Sequence, residues 1–529
     1  MPISINPSAI SHEHSQKLAR FFNTQSADIR VWKQGQIYTF EDGTEFQFTS
    51  DVVKRDRKEG KSGFRYEFLS NRLLGKGQFG EVYEIEGTLA VASDDVQFKP
   101  HGLNGKTRVV KIQKHNADNP IRSAFVEYNL SKEASHLGIK LPTIEGTTSY
   151  TVMKKLKGKE LFDIIALDYD YVRPLTLKER VELTKLLLNA VKEQVTDKGI
   201  IHRDLKGENI LVDLNSDPIG VNIFDFGLSV KADQPDGKCC GSPVYAPPEI
   251  FYNQEQTVKI DVFSLGRVLA LIWHVDLASY NCTSIERCAR NAQNVDLSSL
   301  FMGISGLDSE NQKIIRSMLE GMLRADARAR LSIEEAIHLF SRVNLDRPID
   351  YRESVATNKS AIAATLGLPE DSSSSAFLAK APSFISGHLK GIVDSIEELQ
   401  NPDNQTDLDF NQVQQLDSLV NQLNIKINQL REMVSENRME NFAAEIQAAG
   451  TLIRENKATF ENNKVGFVIA NILFGFITLG TFHAALAIYS FATSKNDFAF
   501  FKEIKTTKAS EIVENIEEDI QNLGNKLGG

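Results

Sequence analysis

The feature that most restricts this chain is a series of polar motifs set in fixed order among apolar segments across its middle. The first is Leu74-Gly75-Lys76-Gly77-Gln78-Phe79-Gly80-Glu81-Val82. Three glycines at this spacing let backbone N–H groups approach phosphate oxygens, because no Cβ stands in the way. The same glycine pattern also opens dinucleotide-binding turns, but there a helix follows. Here Val82, Glu84 and Glu86 alternate with Tyr83 and Ile85, the period of a strand, which argues against such a turn. The second motif is Arg108-Val109-Val110-Lys111-Ile112-Gln113. A lysine inside an apolar strand is costly unless a counter-charge meets it. The next helical stretch offers one. Glu127 shares its side of the helix with Leu130, Ala134 and Leu137, which sets it at the inward edge, better placed than Glu133.

The third motif is Ile201-His202-Arg203-Asp204-Leu205-Lys206-Gly207-Glu208-Asn209. After an apolar run come Phe224-Asp225-Phe226-Gly227 and then Gly241-Ser242-Pro243-Val244-Tyr245-Ala246-Pro247-Pro248-Glu249. Asp261-Val-Phe-Ser-Leu-Gly266 and Arg330, in Asp326-Ala-Arg-Ala-Arg330-Leu, complete the series. In this order the motifs resemble those of the eukaryotic-type serine/threonine protein kinase family, over about residues 66–345. One element departs from the family pattern: Pro247-Pro248-Glu249 stands where Ala-Pro-Glu is usual. The resemblance implies an α+β, two-lobed protein kinase fold with a β-rich N-lobe and a helical C-lobe. The residues agree. Strand-like alternation dominates early, and from Leu177 the apolar spacing turns helical, as in Val181, Leu187, Leu188 and Val191.

The resemblance also implies roles. Gly75, Lys76, Gly77, Gln78, Phe79, Gly80 and Val82 would cover bound ATP, and Lys111, held by Glu127, would contact its α- and β-phosphates. Asn209 and Asp225 would hold Mg²⁺, with Mn²⁺ as a substitute, through hard oxygen donors. Asp204 would accept or orient the proton of a substrate hydroxyl, and Lys206 would reach the γ-phosphate. A lysine at that position marks serine/threonine kinases, so the expected partner is a protein carrying a Ser or Thr hydroxyl. Met153 would guard the back of the adenine pocket, with the backbone of Lys154 and Leu156 bonding the base. Asp261 would anchor the catalytic loop and Arg330 would pair with Glu249. From Leu228 to Gly241 the one hydroxyl residue is Ser229. Many family members order this segment with a phosphate paired to the arginine before the catalytic Asp, here Arg203. The expectation is activity without that phosphate, with Asp233 or Asp236 supplying the charge. The rival readings are a silent kinase-fold scaffold, a small-molecule kinase, and a membrane tether acting through its tail.

At 529 residues the chain is long enough for several domains. Sixty Lys and Arg against 70 Asp and Glu give a net charge of −10, without the basic footprint that nucleic-acid binding requires. Four cysteines, Cys239, Cys240, Cys282 and Cys288, form no C-x-x-C pair, so no disulfide framework or zinc site is expected. The N-terminus lacks a basic segment followed by an apolar one, so no cleaved signal is expected. Four zones follow. Residues 1–65 carry a hairpin signal, Ile37–Phe40 and Thr44–Phe48 about Asp42-Gly43, and would be a cap on the small lobe, an inhibitory segment or an adaptor. Residues 66–345 are the kinase zone, and 350–381, with Ser372–Ser375 between Pro369 and Pro382, read as a linker. Residues 383–529 read as helical.

In this last zone Val413, Leu416, Val420, Leu423, Ile427, Leu430 and Val434 make a heptad seam, either for a bundle within the chain or for coiled-coil self-association. Residues 465–494 contain no Asp, Glu, Lys or Arg. They are long enough to span or hairpin into a membrane, with Asn471, Gly475, Gly480 and His483 as weak points; the competing reading is a buried bundle helix. A cytosolic kinase domain tethered to a membrane through 465–494 is the expected setting. Ile512, Ile516, Ile520 and Leu523 form a final amphipathic stripe, and with Glu511, Glu514, Glu517 and Glu518 the C-terminus resembles a type IV secretion signal. The tail thus resembles those of effector kinases that intracellular bacteria inject into host cells, where a host protein would be the substrate.

Overall fold

The computed structural model describes residues 2–479 apart from 26–27, 41, 58–62, 78–79, 92–94, 102–106, 118, 170–172, 276–283, 305, 347–358, 361, 370–371, 373, 403–404, 407, 436–441, 461–464, 466–467, 470–471, 473–474 and 477–478. The chain divides into two compact units, Met1–Lys157 with Phe224–Ser229, and Gly158–Ile223 with Val230–Gly529.

The first unit is β-rich. It begins with β1 (Ile3–Ile5), α1 (His12–Thr24), β2 (Val31–Trp32), β3 (Ile37–Thr39), β4 (Glu45–Phe48) and β5 (Val52–Asp56). It continues with β6 (Phe64–Gly77), β7 (Gly80–Val91), β8 (Val96–Pro100), β9 (Arg108–Lys114), α2 (Arg122–Ala134), β10 (Thr143–Glu145) and β11 (Thr148–Lys154). An eight-stranded sheet runs β10-β11-β9-β7-β6-β5-β2, with β8 beside β7. The expected hairpin forms: β3 pairs antiparallel with β4, Ile37 opposite Gln47 and Thr39 opposite Glu45, and Gly43 takes φ 80° in the turn. β1 adds to β4 in parallel.

The division expected near residue 65 falls inside β6, which starts at Phe64. β5 pairs with β6 from Val52 opposite Phe68 to Asp56 opposite Phe64, and β2 pairs with β5. The reason is aromatic packing. Leu18, Phe21, Phe22, Trp32, Phe46 and Phe48 form one core with Tyr66, Phe68, Leu89 and Val96 of β6 to β8. The rings of Phe22 and Tyr66 lie 4.0 Å apart and those of Trp32 and Tyr66 5.7 Å apart. Burial pushes the Tyr66 phenol up to about 12. Each such side chain contributes roughly 1.5–3 kcal/mol by leaving water. The N-terminal residues thus share one core with β6 to β8.

The second unit is mostly helical. Its elements are β12 (Lys159–Glu160), α3 (Leu161–Tyr169), α4 (Leu177–Gln194), β13 (Ile200–Ile201), β14 (Ile210–Asp213), β15 (Gly220–Ile223), β16 (Val230–Lys231), α5 (Pro248–Phe251), α6 (Lys259–Ile272), α7 (Ile285–Gln293), α8 (Ser309–Met322) and α9 (Ile333–Phe340). Two reciprocal caps start helices where the sequence places Ser or Thr three residues before Glu: Thr176 with Glu179 on α4, and Ser332 with Glu335 on α9. Helix α6 is buried from Ile260 to Ile272, as a helix apolar on all sides must be. Asp168 of α3 accepts two bonds from Arg180 of α4, at 2.7 and 2.8 Å, and one from the His274 ring at 2.9 Å. Burial raises the Asp168 carboxyl, but Arg180 and His274 outweigh it and hold it below the usual range.

The tail carries α10 (Ser374–Leu399), α11 (Phe410–Ser435) and α12 (Phe442–Phe460). Helix α10 starts inside the stretch expected to be linker and runs through Pro382. Its stripe Phe377, Ala381, Ile385 and Leu389, spaced by four, is buried and overrides the serine and proline signals. The α11 seam, Leu416, Leu419, Val420, Leu423, Ile427 and Leu430, is buried within this one chain, beside α10 and α12. This burial fits the reading of a bundle within the chain. Among the described residues no helix is long and apolar enough to cross a membrane. Of the 465–494 stretch, Val465, Val468, Ile469, Ile472, Phe476 and Leu479 are helical and buried, and Gly475 sits so close to α10 that a Cβ there would lie 2.6 Å from Ile392. The remainder of that stretch and the C-terminal Glu-rich stripe lie outside the described residues.

A chain begun at residue 64 would expose Tyr66, Phe68, Leu89 and Val96 to water. It is expected to be recovered in aggregates. A soluble truncation that melts at the temperature of the full chain would contradict the single aromatic core.

Candidate active site

Lys111 stands in β9 opposite Val82 of β7 and Thr151 of β11. The residue is 8% exposed, and its ammonium donates to Glu127 Oε1 at 2.7 Å and to Asp225 Oδ1 at 3.0 Å. Burial works to lower its pKa, but Asp225 and Glu127 outweigh burial and hold the ammonium above the ordinary lysine value. Glu127 belongs to the buried stripe of α2, with Ala124, Leu130, Ser131 and Ala134. Its second oxygen accepts from Gln113 Nε2 at 3.3 Å. Sequence reasoning missed Gln113, although it lies two residues from Lys111 and so on the same face of β9.

Asp225 adopts the left-handed backbone, φ 61°, and accepts from the Gly227 amide at 3.4 Å. Such a conformation costs a non-glycine residue of the order of 1 kcal/mol and persists only where the surroundings enforce it. Here Phe226 is 1% exposed, with its ring 6.4 Å from that of His136 just beyond α2. The glycine-rich residues form the hairpin end of β6 and β7: Gly75 faces Val82, Lys76 faces Glu81 and Gly77 faces Gly80. Lys76 Nζ lies 3.2 Å from Glu81 Oε1. A Cβ on Gly80 would collide with the Ile112 carbonyl, so this turn admits no other residue without movement. Gln78 and Phe79 lie outside the described residues. Met153 lies one residue before the end of β11, opposite Val109. The Lys154 amide donates to the Leu137 carbonyl at 2.9 Å and the Lys155 amide to the Thr107 carbonyl at 3.0 Å, so the Lys154 amide is engaged within the chain. Leu156 follows directly, past the strand.

The second unit holds the other group. Asp204 Oδ1 accepts the Ser242 amide at 2.8 Å, and Oδ2 accepts Asn209 Nδ2 at 3.0 Å. The Asn209 nitrogen also donates to the Asp204 carbonyl at 2.7 Å. Lys206 Nζ lies 3.7 Å from Asp204 Oδ2. The carboxylate is thus fixed from three sides. Asp261 of α6, 1% exposed, accepts the amides of His202 at 2.6 Å and Arg203 at 2.9 Å, which pins the backbone just before Asp204. Burial pushes the Asp261 carboxyl up, with His202 and Arg203 opposing it. Ser264 and Arg267, also on α6, donate to the carbonyls of Tyr245 and Val244 at 3.0 and 3.2 Å. The structure therefore gathers Lys111, Glu127 and Asp225 in one unit, and Asp204, Lys206 and Asn209 in the other.

Arg330 donates to both oxygens of Glu249, at 2.6 and 2.9 Å, and to the Lys259 carbonyl at 2.8 Å. Both partners are buried. Arg330→Leu leaves Glu249 without its counter-charge, and truncating one side of a buried pair costs about 3–5 kcal/mol. The expected result is a thermal midpoint lowered by several degrees in scanning calorimetry; an unchanged midpoint would show that the pair carries no strain when broken.

The profile of the protein kinase domain matches residues 68–340, just over half of the chain. A probable serine/threonine-protein kinase 2 of Plasmodium falciparum is 30% identical over 208 residues, 39% of this chain and 38% of that protein. CBL-interacting protein kinase 21 of rice is 31% identical over 211 residues, 39% of this chain and 37% of its own length. Calcium-dependent protein kinase 13 of rice is 26% identical over 293 residues, 54% of this chain and 49% of its own length. The chain thus spans less than half the length of these relatives. Its motifs, its β-rich and helical units and the matched profile agree: the chain belongs to the protein kinase domain family.

Proposed function

We propose that this chain transfers the γ-phosphate of ATP to serine or threonine hydroxyls of protein substrates. The observation that carries this reading is Lys111, buried in the sheet and held by Glu127 and Asp225. A fixed ammonium is the group that orients the phosphates of a nucleotide, and phosphoryl transfer depends chiefly on positioning and on charge stabilisation. Asp204 would take the proton of the substrate hydroxyl, or orient it, and three contacts hold its carboxylate for that task. Lys206 would add positive charge as negative charge builds on the transferring oxygens.

Each of the two expected donors, taken by itself, suits a hard divalent cation. Asp225 offers a carboxylate. Asn209 commits its amide nitrogen to Asp204, which turns its carbonyl oxygen to other use. Mg²⁺, or Mn²⁺ in its place, would supply neutralisation of the phosphate charge when bound. The resemblance of the tail to injected effector kinases supports a reading in which the substrates are host signalling or trafficking proteins. The Glu-rich C-terminus, Glu511 to Glu518, carries that part of the reading. A translocation reporter fused to the chain, with and without residues 505–529, tests it.

For the chemistry, Asp204→Asn is expected to lower phosphate transfer to casein by about 10²–10⁴-fold while ATP binding persists. Lys111→Ala should abolish labelling, and phosphoproteomics of cells carrying it against wild type should lose phosphoserine and phosphothreonine sites, not phosphotyrosine. Equal labelling by Asp204→Asn and wild type would favour the silent scaffold instead.

A further inference from the structure

Arg203 precedes Asp204, and its side chain is 4% exposed. A guanidinium cannot shed its proton, so burial obliges it to meet matched acceptors. Its Nη1 donates to Asp236 Oδ1 and, at 3.3 Å, to Gln256 Oε1. Gln256, itself buried, donates Nε2 to the Lys238 carbonyl at 2.8 Å, and the Lys238 amide donates to Asp236 at 3.2 Å. Arg203 also takes the left-handed backbone, φ 67°, with its amide held by Asp261. A few residues on, Gly241 at φ 97° packs so closely on the Arg203 carbonyl that no Cβ fits, and the Ser242 amide holds Asp204. The segment 236–242 is therefore fastened to the loop of Asp204 at both ends, through the Arg203 side chain and through its backbone. Burial works to raise the Asp236 carboxyl, but the bonds from Arg203 and Lys238 outweigh it and hold it below the usual carboxylate range. It is charged at neutral pH.

Between Leu228 and Gly241 the one hydroxyl residue is Ser229, which is 3% exposed. No other side chain of that segment carries a hydroxyl that could form a phosphate ester, and the place beside Arg203 is already taken by an acid of the chain itself. We infer that Asp236 is a positioning residue for Asp204: it supplies the fixed negative charge that seats Arg203, and so holds the catalytic loop in working geometry with no phosphate on 228–241. The inference rests on the kinase reading and adds to it how the site is kept on.

The test uses the full chain, freed of phosphate by a broad phosphatase and checked by intact mass, with MgATP and myelin basic protein. Phosphate-free wild type is expected to keep its initial rate. Asp236→Asn should lower kcat by about 10²-fold, the scale of a misplaced catalytic group, with KM for ATP unchanged. Asp236→Glu, which keeps the charge, should recover most of that loss. A merely structural role would instead lower the melting temperature in both variants without separating Asn from Glu. Loss of activity on phosphatase treatment, or a wild-type kcat for Asp236→Asn, overturns the inference. Should wild type transfer no phosphate at all, the kinase reading is what fails. Amide exchange over 231–241 then still judges the clamp: faster exchange in Asp236→Asn upholds it, and equal exchange overturns it.

Discussion

A lysine ammonium can lie in this sheet only because two carboxylates meet it there. Removing one charge from water costs several kcal/mol, and a single partner near 4 Å returns roughly 4 kcal/mol at the effective dielectric of a protein site. Lys111 has two, one from α2 and one from the turn after β15. That requirement explains an oddity of the chain's division. Residues Phe224–Ser229 belong to the first unit, although the chain on either side of them belongs to the second. Asp225 is drawn by Lys111 and Phe226 by the residues next to α2, so a six-residue turn is claimed by a sheet laid down more than a hundred residues earlier.

The second unit repeats the device with arginine. Arg180 meets Asp168, Arg203 meets Asp236, and Arg330 meets Glu249, each joining segments apart in sequence. The Arg180–Asp168 and Arg330–Glu249 pairs are buried, and pairs of that kind give little net stability against apolar replacements, since desolvation consumes most of the Coulombic gain. Their effect here is on geometry. A guanidinium presents a fixed fork of donors, so each pair sets the angle as well as the distance between two segments. Asp261 does the same from the acceptor side, taking two successive amides of the loop that carries Asp204. The loop that carries Asp204 has its backbone fixed by one carboxylate and its neighbouring guanidinium by another.

What the sequence displayed most plainly was the polar series, because phosphate chemistry needs particular side chains at particular spacings and little else does. The choice of Glu127 over Glu133 came from helix period, and α2 buries the stripe that contains it. The choice between Asp233 and Asp236 could not be made that way, since both lie in an irregular segment where no period fixes a direction; Asp236 is the one that meets Arg203. Gln256 was illegible for the same reason. The packing of residues 1–65 onto β6 to β8 was not legible because aromatic residues such as Phe21, Trp32 and Phe46 show that something is buried without showing what covers it. Their partners on β6 and β7 sit twenty to seventy residues away, beyond the reach of any local pattern.

The tail illustrates the same limit in a helical setting. A heptad seam on α11 is satisfied equally by a partner chain and by helices of its own chain. What decides is how many complementary stripes the chain itself supplies. Helix α10 offers Phe377, Ala381, Ile385, Leu389, Ile392 and Ile396, and α12 offers Phe442, Ile446, Ala449 and Ile453, all buried. The connections at 400–409 and 436–441 are short, and a short tether gives an effective concentration on the order of millimolar, which a separate chain at ordinary cellular levels does not match. Gly475 points the same way. As part of an uncharged stretch it weakens a membrane helix, yet against Ile392 of α10 the missing Cβ is what allows the close approach. Over its described residues, the absence of charge from 465 onward is accounted for by burial against the chain's own helices, without recourse to lipid.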